Sequence, residues 1–184
     1  MTDTASMLGI CGELATQLAA FLGLLLAASG AHKFLRKDRA RAAAREFAGV
    51  PGRLAPAAVA VMAGAELLAG LALWVPEFRG AGAALAALIW GGYWLLMLRA
   101  IARGAREVDC GCTFGAAHRT LGAFQILRSA ALAAAAALVA VACAACGADL
   151  FTATQILAAF ALLALYVALD QAMALKPPRA GELL

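Results

Sequence analysis

Five cysteines are present, and four of them stand in two close pairs. One pair, Cys110-Gly111-Cys112, lies in the stretch Val108-Asp109-Cys110-Gly111-Cys112-Thr113-Phe114-Gly115; the other is Cys143-Ala144-Ala145-Cys146. Such spacings can close a small-ring disulfide, and Gly111 has no side chain to crowd the tight ring. Short rings are strained, and strain makes a disulfide easier to reduce, which suits a pair that cycles rather than one that staples. Arg103, Arg106, His118 and Arg119 surround the first pair. Positive charge favours the thiolate, which is the nucleophile, while Asp109 opposes it. Cys110, Cys112, Cys143 and Cys146 are therefore candidate catalytic thiols. Two other readings stand beside this one. Cys110, Cys112 and His118, with Asp109 as a fourth, are ligands of a type that suits a metal. Cys143 and Cys146, inside an Ala-rich run, also suit the role of small buried hydrophobes. Cys11 stands alone and reads as inert.

Two further groups carry chemistry. Glu66 and Arg128 fall inside apolar runs, where an ionisable side chain costs several kcal/mol unless it is paired or wetted. They are expected to pair with each other or to line a quinone or proton path; an ion pair that merely holds helices together is an equal alternative. Trp90 and Trp94 share a helix face, with Gly91 and Gly92 between them. They could hold a planar quinone against the glycines, or simply pack the interior of an Ala-rich bundle. Glu66, Arg128, Trp90 and Trp94 are thus the candidate cofactor-binding residues, and a quinone the candidate cofactor.

The elements that must position these residues are membrane helices. The chain is 184 residues long, 65% hydrophobic and 14% charged, with a mean hydropathy of +0.87. A soluble domain is nearer half apolar and a quarter charged. The apolar residues fall into five long runs, about 10–31, 54–75, 80–101, 120–143 and 151–174, each near the ~20 residues that a spanning helix needs. The expected fold is all-α: one polytopic membrane helix bundle over residues 1–184. The first run lacks a preceding Lys or Arg and is long for a signal peptide, so a retained span is expected.

Charge sets the expected orientation. Lys33, Arg36, Lys37, Arg39, Arg41, Arg45 and Arg53 crowd the loop 32–53; Arg99, Arg103, Arg106 and Arg119 flank the third link, and Lys176 and Arg179 the tail. The alternate links hold only Arg79. The N-terminus is expected outside and the C-terminus in the cytoplasm. The net charge of +4 therefore speaks of topology and not of nucleic acid. The basic loop could also carry a short surface helix, with Phe34, Leu35 and Phe47 dipping into lipid; a solvated loop is the simpler expectation. If the fourth span is one helix, Cys112 and Cys143 are ~45 Å apart at 1.5 Å per residue, so the two pairs cannot exchange directly in a rigid molecule: a quinone or another cofactor bridges them, the helix moves, or only one pair is functional. No inverted repeat or broken helix pair suggests a transporter.

Several stretches together resemble the MauE family within the DoxX-like membrane proteins. Ala28-Ser29-Gly30-Ala31-His32-Lys33-Phe34 looks like that group's first-helix ending, and Ala65-Glu66-Leu67-Leu68-Ala69-Gly70-Leu71 like its second-helix stretch. Asp109-Cys110-Gly111-Cys112-Thr113-Phe114-Gly115 looks like the family's D-C-G-C-F-G motif with Thr113 inserted, and Leu127-Arg128 falls where an arginine follows in the next helix. The resemblance implies a protein of the bacterial inner membrane that supports maturation of the methylamine dehydrogenase small subunit. Its implied partner is a thioredoxin-like periplasmic protein of the MauD type. It leaves open a quinone-linked oxidoreductase subunit, as other DoxX-like proteins suggest, and a non-catalytic scaffold or export partner.

Overall fold

The computed structural model describes residues 2–46, 48–104 and 123–172. The helices are α1 (Thr2–Leu35), α2 (Lys37–Glu46), α3 (Ala55–Trp74), α4 (Arg79–Ala102), α5 (Ala123–Cys146) and α6 (Ala153–Ala172), with a single 3-10 turn, Pro76–Phe78, leading into α4. The described residues contain no strand, as expected of an all-α chain. Phe47, Arg106, the stretch 108–115 with Asp109, Cys110 and Cys112, His118, Arg119, Lys176 and Arg179 lie outside the described residues.

Five segments are long and apolar enough to cross a membrane: Gly9–Leu35, Ala55–Trp74, Pro76–Ala102, Ala123–Cys146 and Ala153–Ala172. In hydrocarbon each backbone N–H and C=O must find its partner within the segment, which a helix alone does for a single span. The chain is a multi-pass membrane protein. Its side chains are sorted by size more than by polarity. Ala19, Ala63, Ala69, Ala83, Ala86, Ala136 and Ala159 are buried between helices, whereas Leu68, Leu88, Leu127, Leu138 and Leu157 point outward. Lipid tails are as apolar as leucine, so helices gain little by burying large side chains and associate instead where small ones let them approach.

That approach is close between α1 and α3. A Cβ added to Gly70 would stand 3.0 Å from the Gly23 carbonyl oxygen and 3.1 Å from the Ala27 nitrogen, and one on Gly30 would stand 2.9 Å from the Ala63 carbonyl oxygen. α1 also packs on α5 and α6, and α4 lies against α3 and α5. A core of Leu22, Leu26, Leu73, Ile89, Trp90 and Val139 fills the centre.

Helix α1 continues past the expected end at residue 31 to Leu35, so Lys33 is a helical residue and not a loop charge. The expected loop then holds a second helix, α2, with Ala43 buried and the exposed pair Arg41–Asp38 at 3.3 Å. Alternating alanines and arginines give it one small apolar face and one charged face, the pattern of a helix lying along a membrane surface. Pro56 sits in the first turn of α3, where its missing N–H is no loss.

Candidate functional site

The clearest chemical arrangement lies where α1 begins and α5 ends. Cys146 is the last residue of α5, and Gly147 follows with φ +79°, the left-handed turn that glycine makes without strain and that commonly closes a helix. This turn stops α5 level with Cys11 of α1. The two sulfurs, 135 residues apart in sequence, lie 2.7 Å from each other. Both thiols are free and half-buried. Cys11 therefore does not stand alone: helix packing gives it a partner that its sequence neighbours conceal. Cys143, one turn before Cys146, lines an open cavity of about 540 Å³ with Pro76, Glu77, Gly80 and Ala140.

Arg79 lies at the same end. It begins α4 and is fully buried. Its Nε donates to the Leu73 carbonyl at 3.1 Å and its Nη1 to the Thr16 hydroxyl at 3.4 Å, while its guanidinium sits 4.3 Å from the centre of the Phe151 ring. No described carboxylate lies within ion-pair distance of it, and Nη2 has no hydrogen-bond partner. Cys143 and Asp149 are within reach of its charge. Among the described residues no three metal-ligating side chains converge.

Glu66 occupies a second site, deeper in the bundle. Its carboxylate is 1% exposed. Lys33 Nζ donates to both oxygens, at 2.7 and 2.8 Å, and to Ser29 Oγ at 2.9 Å. The Tyr93 hydroxyl donates to the same carboxylate at 2.7 Å, and Lys33 stands 5.4 Å from the Tyr93 ring centre. Every strong donor and acceptor of the pair is thus engaged, as a desolvated ion pair requires. Lys33 and Tyr93 also form part of the wall of a mainly apolar cavity of about 270 Å³ roofed by Ala40, Ala43 and Ala44 of α2.

Arg128 is not the partner of Glu66. It pairs with Asp170 of α6, which is buried, beside the Tyr166 ring. The expected Glu66–Arg128 pairing is replaced by two separate pairs, α1–α3 and α5–α6. Trp90 is buried in the core and lines a small void of about 30 Å³ with Tyr93, Arg128 and Tyr166. Trp94 is half-buried. Asp170, Arg79 and Lys33 are buried charges that sequence reasoning missed. The signal for Asp170 was the one that exposed Glu66, an acid inside an apolar run; Arg79 passed for a turn charge because it stands at a helix start.

The family profile described as "Methylamine utilisation protein MauE" matches residues 11–142. No curated protein and no solved structure matches the chain.

Proposed function

Because the chain belongs to the MauE family, and so is a membrane protein of methylamine utilisation, we propose that it is a thiol–disulfide relay. It serves maturation of the methylamine dehydrogenase small subunit through a thioredoxin-like periplasmic partner. One observation carries the reading: Cys11, Cys143 and Cys146 gather at one end of the bundle, the end away from that at which the chain leaves α4 toward Cys110 and Cys112. A membrane protein with thiols at both ends can pass reducing equivalents from one compartment to the other, and thiolate attack then lets wrong disulfides in the client be reshuffled. The Cys110–Cys112 pair receives electrons on the cytoplasmic side of the inner membrane, a membrane quinone carries them across because the two thiol sets are too far apart to exchange directly, and the gathered thiols deliver them outside.

The test is complementation. In cells lacking the protein, the wild-type chain restores the small subunit with its disulfides in place, scored by alkylation and mass spectrometry of that subunit. Cys110→Ser with Cys112→Ser is expected to lower its yield at least tenfold. Full yield from a chain in which all five cysteines are serine makes the protein a scaffold and refutes the relay. A second reading, a quinone-linked oxidoreductase subunit, is supported by the cavity beneath α2, which sets apolar walls beside the Lys33–Glu66 pair and Tyr93. A quinone that co-purifies with the wild-type chain, and is lost from Ala43→Trp, supports it.

A further inference from the structure

We infer that Cys11 and Cys146 form one reversible dithiol/disulfide pair that links α1 to α5 and is the outlet of the relay. The inference rests on the thiol–disulfide reading above and names the residues that perform it. Three independent features bear on it. The Cys11 and Cys146 sulfurs are 2.7 Å apart, closer than unbonded sulfurs ordinarily come, and a disulfide bond is about 2.05 Å, so closure needs side-chain adjustment only. The two thiols come from different helices, and neither is locked inside the core. Cys143 lies on the same face of α5 one turn earlier, where Cβ atoms are about 5–6 Å apart in a helix and a disulfide needs about 3.5–4.5 Å, so bonding there would distort the helix. Cys146 is therefore better matched to Cys11 than to its neighbour in sequence.

The step balances with a disulfide-bearing protein on the same face of the membrane. One thiolate of the pair attacks a sulfur of the partner's disulfide. The partner's S–S bond breaks, a mixed disulfide forms, and one partner thiolate leaves and takes a proton. The second thiolate of the pair then attacks its neighbour's sulfur. The mixed bond breaks, the Cys11–Cys146 bond forms, and the second partner sulfur leaves as a thiol. Two electrons and two protons have passed to the partner, and the pair is oxidised. Cys143 stays a thiol throughout; with the buried Arg79 behind it and the open cavity before it, it marks the side from which a partner approaches.

The experiment uses the full chain in native membranes, equilibrated with oxidised glutathione as the probe disulfide. It is then quenched in acid, alkylated and digested for mass spectrometry. The expected product is a peptide carrying Cys11 joined to Cys146, converted back by reduced glutathione. Because the bond encloses most of the chain, the oxidised form also runs faster on a non-reducing gel. The shift disappears in Cys11→Ser and Cys146→Ser and persists in Cys143→Ser. If Cys146 is instead found joined to Cys143, or stays free while Cys110 and Cys112 oxidise, the inference is overturned and the relay reading survives. If no cysteine of the chain changes state, both fall.

Discussion

The Lys33–Glu66 pair sets the terms at the scale of single residues. A carboxylate this buried is tolerated because an ammonium and a phenol satisfy it. Removing one partner of a buried pair leaves the other uncompensated, at a cost of about 3–5 kcal/mol, whereas replacing both with apolar groups of similar volume is often neutral. Lys33→Met alone is therefore expected to lower thermal stability in detergent sharply, and Lys33→Met with Glu66→Leu to recover most of it. If the double variant remains as inactive in small-subunit maturation as the single, the pair serves the chemistry and not only the packing. Glu66 and Arg128 were legible in the sequence because an ionisable group in an apolar run always asks for an explanation. Their partners were not. Lys33 stands 33 residues before Glu66 and Asp170 stands 42 after Arg128, and which charges meet is decided by how helices rotate against each other. Cys11 is the extreme case: a single cysteine has no spacing to interpret, and its neighbour is brought in by the whole bundle.

Among the elements, the contact of α1 with α3 depends on the absence of side chains. Gly70 has backbone atoms of α1 about where a methyl group would go, while Gly64, in the same helix, has no atom within 4 Å of an added Cβ. Gly64→Ala is expected to be neutral or to stabilise α3 by up to about 1 kcal/mol, since alanine favours a helix interior more than glycine does. Gly70→Ala must push α1 aside and is expected to cost more than that gain. Parallel melts of the two variants check the contrast; equal behaviour would mean that the helices do not meet there. The five spans were legible because hydrocarbon imposes a length and a composition on any crossing. The continuation of α1 to Leu35 and the separate helix α2 were harder to see, because charge marks a segment as wet without saying whether it is coiled.

For the molecule as a whole, the count of crossings matters more than any one contact. Exposed basic residues cluster where α1 ends and α2 lies, with Arg99 and Arg103 at the end of α4, whereas among the described residues the thiol end offers only a buried arginine. Since basic residues stay cytoplasmic, an impermeant maleimide applied to reduced intact spheroplasts is expected to label Cys146 in a chain that keeps only that cysteine. A chain that keeps only Cys110 and Cys112 should be labelled after permeabilisation alone. The reverse pattern would invert the direction proposed for the electrons.

An odd number of crossings has a consequence that holds for either insertion. The end of α1 that carries Cys11 and the end of α4 from which the chain runs toward Cys110 belong to opposite faces, so a relay between thiols at those two ends would join two thiol buffers. Those buffers are held apart only by the lipid, and their poises differ between compartments. On the proposed relay the protein behaves as a wire between two unequal reservoirs, and the difference between them is the force that drives it. Dissolving the membrane shorts the circuit: in detergent both ends meet one solution, and each pair simply equilibrates with it. Turnover is expected to be measurable in sealed vesicles with different thiol buffers inside and out, to reverse when the two buffers are exchanged, and to vanish when the vesicles are made leaky.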